Sequence, residues 1–169
     1  MSQNGLLQGK RILIVDDEPD VLDVLEEMLD MCEVSKASTF EEARELLEKN
    51  EFDLAILDIM GVDGYKLLNI AKHKNITVVM LTAHALNPAN LVKSIKEGAD
   101  CYLPKEEMKR ITTFLVDILT SQEEGRSTWE PWERRLSSSY FEKKWGRNWK
   151  DQHKEFWKEL DADNKDKKP

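Results

Sequence analysis

The sequence predicts an α/β fold with a parallel β-sheet at its centre. Three short apolar runs, Ile12–Val15, Leu54–Leu57 and Ile76–Leu81, show no polar alternation and are too short for helices, which is typical of strands buried on both faces. Two further strands are predicted at Glu33–Ala37 and Cys101–Leu103. Helical patterns separate the five strands, and this regular alternation is the α/β layer pattern.

The helices are predicted from apolar residues that recur every three to four positions. They cover residues 21–29, 40–47, Tyr65–Lys72, Pro88–Lys96 and Met108–Leu119. At the start of the second, either Ser38 with Glu41 or Thr39 with Glu42 could form a capping box. Because crossovers between parallel strands are right-handed, we expect helices on both faces of the sheet.

The chain has 169 residues and a net charge of −8 that is unevenly placed. Residues 1–128 hold 14 basic and 24 acidic side chains, whereas residues 129–169 hold 11 and 9. An acidic main body argues against nonspecific binding to nucleic acid or a membrane surface. No apolar run is long enough to span a bilayer and the N-terminus lacks the apolar core of a signal peptide, so we expect a cytoplasmic protein. Cys32 and Cys101 are expected to be small buried side chains without a disulfide.

Polar side chains stand where the predicted strands end. The first strand runs into three consecutive acids, Asp16, Asp17 and Glu18, and the third ends in Asp58. The fourth strand ends in Thr82, and Lys105 follows the fifth strand. In parallel α/β sheets the carboxyl ends of the strands form the functional edge. The sequence therefore predicts a cluster of carboxylates, a hydroxyl and an ammonium at one edge.

Such a carboxylate cluster requires a cation, because several carboxylates within a few ångströms cannot all remain ionised alone. Mg²⁺ fits best, since it prefers oxygen ligands and takes one or two carboxylates while keeping several waters. A metal, a lysine and a hydroxyl around a carboxylate are the groups that phosphoryl transfer uses. Asp58 is placed to be the nucleophile that forms an acyl phosphate.

Four stretches together resemble the receiver domain of bacterial two-component response regulators: "ILIVDDEPD", "DLAILDIMGVDGYKLL", "VVMLTAHA" and "GADCYLPKEE". The resemblance covers residues 10–121, and four motifs in order at these separations are highly specific. It implies a flavodoxin-like fold with strand order 2-1-3-4-5. It also implies that the protein accepts a phosphoryl group from the phosphohistidine of a sensor kinase or phosphotransfer protein and is not itself an enzyme.

The resemblance assigns the metal ligands. Asp17 and Asp58 would bind Mg²⁺ directly, and Asp16 would act mainly through a bound water. A main-chain carbonyl of the loop after the phosphoacceptor normally completes the set, which gives this role to Met60. That loop is about two residues shorter here than in most family members, since Met60 runs directly into "GVDG".

The resemblance also assigns the phosphoryl contacts. Asp58 would be the phosphoacceptor, Lys105 would contact the phosphoryl group, and Thr82 would bond a phosphoryl oxygen on activation. Tyr102 would be the switch ring whose rotamer follows Thr82. His84 is expected near the mouth of the site, where an influence on acyl phosphate hydrolysis and a plain surface position are both open.

Two alternatives bear on these assignments. Haloacid-dehalogenase-like phosphatases also phosphorylate an Asp at a strand end, but they need a second Asp two residues later, where this chain has Glu18 or Met60. A constitutive interaction module with a receiver fold, never phosphorylated, is favoured by the short loop.

The family also often has Pro and a cis peptide after the lysine, where Glu106 stands here. A cis bond to a non-proline costs about 3 kcal/mol.

The C-terminal part differs in composition, because all five tryptophans of the chain lie between residues 129 and 157. The predicted organisation is a lead at 1–9, a receiver domain at 10–121, a linker at 122–128, a helical extension at 129–160 and a disordered tail at 161–169. Trp145, Trp149, Phe156 and Leu160 are expected near one helical face; a second face is expected to hold residues 132, 136 and 140. The extension predicts packing on the receiver, homodimer formation or a protein partner, and direct DNA readout or membrane binding is not expected.

Overall fold

A computed structural model of the chain describes residues 3–83, 87–136 and 138–166. Its centre is a five-stranded parallel sheet in the order β2-β1-β3-β4-β5, as the resemblance implies. The strands are β1 Arg11–Val15, β2 Glu33–Ala37, β3 Leu54–Asp58, β4 Thr77–Thr82 and β5 Cys101–Pro104. Every residue of β3 and β4 is buried, which explains their uninterrupted apolar sequences.

Five helices connect and follow the strands: α1 Pro19–Met28, α2 Phe40–Lys49, α3 Gly64–His73, α4 Pro88–Lys96 and α5 Ile111–Glu123. Helix α1 packs against α5, and α2 packs against α3, so helices cover both faces of the sheet. Thr39 caps α2, where its hydroxyl accepts a hydrogen bond from Glu42 N at 3.2 Å. A 3-10 helix at Lys105–Arg110 precedes α5, so the α-helix begins at Ile111 and not at Met108 as the sequence predicts.

The segment before β1 is part of the folded core. It contains a 3-10 helix at Gln3–Leu6 that packs on α5, and the side chain of Leu7 is fully buried. The Cys32 thiol reaches Leu7 O at 3.3 Å, and burial raises the pKa of this thiol to about 11. Cys101 is buried, and both cysteines are free thiols as expected.

The extension forms three helices: α6 Trp129–Arg135, α7 Ser138–Trp145 and α8 Lys154–Asp166. The sequence places Trp132, Leu136 and Tyr140 on one helical face, but α6 ends at Arg135, its C-cap Leu136 has a non-helical ψ of 82°, and Tyr140 belongs to α7. Residues 161–166, which the sequence predicts to be disordered, form the end of α8, because a helix that is already formed extends at little cost.

Aromatic rings join these helices to one another. Trp132 stacks on Phe141 with 5.4 Å between ring centroids, and Phe141 in turn contacts Trp145 and Trp149. Trp149 meets Trp157 of α8 edge-on at 5.3 Å. Helix α6 packs against α5, so the extension lies on the receiver. No helix in the described part of the chain is long and apolar enough to cross a membrane.

Candidate functional site: an acidic cluster at the carboxyl edge of the sheet

The acids that follow β1 form a compact group. Asp16 is fully buried, and its Oδ1 accepts a hydrogen bond from Glu18 N at 2.9 Å. One carboxylate oxygen from each of Asp16, Asp17 and Glu18 lies within 4.8 Å of the others. Burial is the main reason that the pKa of Asp16 is raised, although its contact with Lys105 acts in the opposite direction.

Asp58 stands beside this group at the end of β3, and its side chain is 5% exposed. Burial raises the pKa of Asp58 to about 7, and the charges of Asp16 and Asp17 act in the same direction. The nearby Lys105 ammonium lowers it only in part. The negative charge on Asp58 is therefore poorly stabilised by the protein alone.

Lys105 connects the carboxylates across the sheet edge. Its Nζ lies 2.8 Å from Asp16 Oδ2, 3.3 Å from Glu18 Oε1 and 3.6 Å from Asp58 Oδ1. The first contact is close enough for an ion pair but lacks hydrogen-bond geometry, and Asp16 Oδ2 is a buried acceptor without a hydrogen bond from any described group. The ammonium of Lys105 thus contacts three carboxylates at once, and its one positive charge does not neutralise them.

Thr82 ends β4 in register with Pro104 of β5, so it stands one strand away from Asp58 and directly beside the lysine-bearing strand. Its side chain is buried. A cavity of about 230 Å³ opens here, and it is lined by Thr82, Ala83, Pro104, Lys105, Glu106 and Lys144. The Lys105–Glu106 peptide is trans, as are all peptide bonds in the described parts of the chain.

Tyr102 is fully buried in β5, with its ring directed into the protein. Its hydroxyl is hydrogen-bonded to the backbone of Asn87, whose side chain caps α4 by accepting from Asn90 N at 2.8 Å. Burial raises the pKa of the Tyr102 phenol. The ring therefore fixes the start of α4 relative to β5. His84 lies outside the described residues.

The short loop after Asp58 closes tightly over the acids. Met60 is exposed, and Gly61 takes a φ of +84°, which glycine adopts readily. A Cβ added at Gly61 would lie 2.5 Å from Asp17 Oδ2, and one at Gly64 would lie 2.2 Å from Asp58 O. The loop thus needs glycine at both positions, because its backbone passes so close to the acidic residues.

The residues present fit a hard divalent cation. The acidic group supplies several closely spaced oxygens, Asp16 Oδ2 is buried without a hydrogen bond among the described residues, and Asp58 carries a raised pKa. Oxygen donors of this kind suit Mg²⁺ better than a softer transition metal.

Contacts between the extension and this edge were not predicted from the sequence. Tyr140 and Lys144, one turn apart on α7, both reach Glu106, which follows Lys105 directly. Trp132 Nε1 donates a 2.7 Å hydrogen bond to Tyr102 O. The sequence spacing of Tyr140 and Lys144 indicates that they share one side of a helix, but it does not identify the surface that they contact.

The model of the response regulator receiver domain family matches residues 12–115. The two-component response regulators ARR10 and ARR18 of Arabidopsis thaliana are 38% identical over 119 residues and 41% identical over 103 residues. These matches cover 64% and 57% of this chain but only 21% and 16% of the relatives. The chain thus corresponds to a small part of those plant proteins.

Solved structures agree with the sequence comparisons. A CheY-like response regulator receiver domain protein from Methanospirillum hungatei has a TM-score of 0.58 and 29% identity, over 68% of this chain and 99% of that one. A response regulator from Chloroflexus aurantiacus has a TM-score of 0.59 and 31% identity, over 67% of this chain and 99% of that one. In both, the similarity spans nearly the whole of the solved chain.

Proposed function

Because the chain belongs to the response regulator receiver domain family, we propose that it is a phosphorylated signalling protein in which Asp58 accepts a phosphoryl group. The donor is the phosphohistidine of a sensor histidine kinase or a phosphotransfer protein. The observation that carries the proposal is the position of Asp58, buried at the end of β3 with Lys105 Nζ 3.6 Å from its Oδ1. We also propose that the protein is cytoplasmic, as expected from the sequence.

In the transfer, an Asp58 carboxylate oxygen attacks the phosphorus atom, a P–O bond forms, and the P–N bond to the donor imidazole breaks. The nitrogen leaves with the bonding electron pair and is protonated. Asp58 must be ionised to attack, yet the protein raises the pKa of this carboxyl group to about 7. Lys105 stabilises the ionised form and then contacts the charge on the phosphoryl group.

The metal in this proposal is Mg²⁺. Asp17 and Asp58 would bind it, with Asp16 acting through a water and the main-chain carbonyl of Met60 as a further ligand. When bound, Mg²⁺ neutralises the carboxylates and the charge on the transferred group.

The phosphoryl group carries about two negative charges and replaces the charge of the Asp58 carboxylate, so phosphorylation adds about one negative charge. Thr82, buried at the end of β4, donates to a phosphoryl oxygen, and the ring of Tyr102 stays buried. The new contact of Thr82 with the phosphoryl group shifts an existing conformational equilibrium of the surface formed by α4, β5 and α5. Output is through protein–protein contact, including a possible homodimer, without direct DNA readout or membrane binding, and the only chemistry is self-phosphorylation and autodephosphorylation.

A second candidate is a constitutive interaction module that is never phosphorylated. It is favoured by the tight loop at Gly61, where an added Cβ would lie 2.5 Å from Asp17 Oδ2. In this candidate the Trp-rich extension is the binding element.

The intact mass of the protein after incubation with acetyl phosphate and Mg²⁺ tests the proposal. We expect one added phosphoryl group on the native chain, and no addition on Asp58→Asn or without Mg²⁺. If the native chain gains no phosphoryl group and does not bind beryllofluoride with Mg²⁺, the constitutive module is the correct reading.

A further inference from the structure

The extension contacts β5 through a single directed hydrogen bond. Trp132 Nε1 donates to the main-chain oxygen of Tyr102 at 2.7 Å, and both residues are buried. Since β5 is the last strand in the sheet order, this contact is on its open edge. A buried hydrogen bond of this kind stabilises the arrangement by about 1 kcal/mol, and leaving the carbonyl unpaired would cost more.

A second contact reaches the residue after Lys105. Glu106 Oε1 accepts a hydrogen bond from the Tyr140 hydroxyl and lies 2.5 Å from Lys144 Nζ. These two partners lower the pKa of Glu106, with Lys144 as the larger cause. The Glu106 side chain is about half exposed, so the ion pair fixes geometry more than it adds stability.

Each contact leads to a different part of the phosphoryl site. Trp132 bonds Tyr102, and the Tyr102 hydroxyl bonds the backbone of Asn87, which lies in the connection that follows Thr82. Glu106 is covalently next to Lys105, whose ammonium contacts Asp16 and Asp58. Lys144 also lines the cavity that contains Thr82 and Lys105.

We propose that Trp132, Tyr140 and Lys144 are positioning residues of the phosphoryl site, so that docking of the extension and phosphorylation of Asp58 favour each other. The inference rests on the proposed function. Docked helices α6 and α7 fix the main chain of Tyr102 through Trp132 and restrain Glu106 next to Lys105, whose Nζ lies 3.6 Å from Asp58 Oδ1. The extension is therefore a cofolded support for the active form and not an inhibitor that phosphorylation must release.

The sign of the effect follows from linkage. If the contacts to Tyr102 and Glu106 strengthen phosphoryl binding by some factor, phosphoryl binding strengthens those contacts by the same factor, and removing them must weaken phosphoryl binding. Couplings of this kind are typically about 5- to 150-fold. An inhibitory extension would give the opposite sign.

The test measures the affinity of the full-length protein for beryllofluoride in the presence of Mg²⁺. Tryptophan emission reports the extension alone, because every tryptophan lies between residues 129 and 157. Trp132→Phe keeps an aromatic ring and removes the N–H donor, and Glu106→Gln removes the charge that Lys144 contacts. The matched control is Arg135→Gln: Arg135 Nε of α6 lies 2.6 Å from Asp117 of α5 in a partly exposed ion pair, so its loss weakens docking only slightly and leaves the contacts to Tyr102 and Glu106 in place.

We expect Trp132→Phe and Glu106→Gln each to raise the half-saturating beryllofluoride concentration at least fivefold, and to shorten the half-life of the aspartyl phosphate. We expect Arg135→Gln to change either value by less than twofold. Lys144→Arg should restore nearly native affinity where Lys144→Gln does not, which a loss of folding would not produce.

Three results would overturn the inference. Tighter beryllofluoride binding by Trp132→Phe would show that the extension inhibits. Equal effects of Arg135→Gln and Glu106→Gln would show a general loss of stability, and unchanged affinity in all variants would show that the extension is uncoupled. If the native protein binds no beryllofluoride, the proposed function and this inference fail together, whereas the first three outcomes leave the proposed function standing.

Discussion

Asp58 experiences two unfavourable effects at once, because it is buried and it faces the charges of Asp16 and Asp17. Lys105 offsets them only in part, and its ammonium is shared among three carboxylates. The acid cluster therefore lowers the stability of the metal-free protein, a cost that the proposed binding of Mg²⁺ would offset. Residues selected for chemistry are commonly destabilising in this way.

Replacing Asp58 should make the metal-free protein more stable. The pKa of this carboxyl group is about 7 in the folded chain and about 3.9 when unfolded. The folded state thus binds more protons between these values, so the stability that the neutral acid gives is lost as the pH rises through about 7. We expect Asp58→Asn to raise the free energy of unfolding at pH 8 by roughly 1–3 kcal/mol.

Urea unfolding in EDTA at pH 8 and pH 5 measures this difference, which should shrink at the lower pH and on adding Mg²⁺. The surface substitution Asp23→Asn is the control. An Asp58→Asn protein that is less stable than the native chain at pH 8 would contradict the account.

Gly61 is expected to matter for metal binding as well as for backbone conformation. Gly61 and Gly9 both have positive φ, at 84° and 75°, but only a Cβ at Gly61 meets another group, Asp17 Oδ2 at 2.5 Å. We expect Gly61→Ala and Gly9→Ala each to lower the free energy of unfolding by about 1–2 kcal/mol, because alanine is strained in the left-handed backbone conformation. Only Gly61→Ala should also weaken Mg²⁺ binding, by about 10- to 100-fold, because Asp17 is displaced.

Mg²⁺ titration calorimetry on the two alanine variants separates strain from displacement. Similar Mg²⁺ affinities for both variants would mean that the loop does not position Asp17.

At the scale of elements, the strands were predicted almost completely, since buried parallel strands leave continuous apolar runs such as Leu54–Leu57. Each strand in the structure begins and ends within one residue of its prediction. The helix boundaries and packing of the extension could not be predicted as well from the sequence. A Trp-rich pattern is compatible with several helical faces, and the break after Arg135 depends on how the rings of Trp132 and Phe141 pack together.

The positions of the candidate site residues could be predicted for a related reason, whereas their roles stay predictions. Strand ends fix the positions of Asp16, Asp58 and Thr82 once the strand order is known. The role of Glu106 could not be predicted, because its partners Tyr140 and Lys144 belong to a separate helix whose docking is a tertiary contact.

Helix α6 contains a carboxylate whose ionisation should cost stability. Burial raises the pKa of Glu133, Lys150 opposes this only in part, and Glu133 Oε1 lacks a hydrogen-bond partner among the described residues. The protonated acid is therefore favoured by folding, and this contribution is complete below about pH 4.3 and is lost as the pH rises through the folded pKa. We expect Glu133→Gln to raise the melting temperature at pH 8, by about 2–4 °C per kcal/mol gained, and to have no effect at pH 4.

Differential scanning calorimetry at the two pH values checks this, with Glu142→Gln on the exposed side of α7 as control. An equal shift at both pH values would mean that ionisation of Glu133 is not the cause.

At the scale of the whole molecule, the receiver and the extension form one packed unit in the described part of the chain. Trp129, Trp132, Trp149 and Trp157 are all buried, and their rings extend from α5 to α8. An acidic receiver with a nearly neutral aromatic extension is consistent with a protein that signals through protein contacts.

This packing predicts that the extension and the sheet unfold together. In urea, tryptophan emission reports the extension, and far-ultraviolet circular dichroism reports the whole chain. We expect coincident transitions, because two-state unfolding gives the same midpoint with every probe. An earlier tryptophan transition would show that the extension detaches from a folded receiver.

Phosphorylation of Asp58 is tested most directly by locating the phosphoryl group on the chain. Borohydride reduces an aspartyl phosphate to homoserine, so peptide mass spectrometry after phosphorylation and reduction identifies the modified position. We expect homoserine at position 58 alone, and only when Mg²⁺ is present during phosphorylation. Homoserine at position 16 or 17, or at position 58 without Mg²⁺, would contradict it.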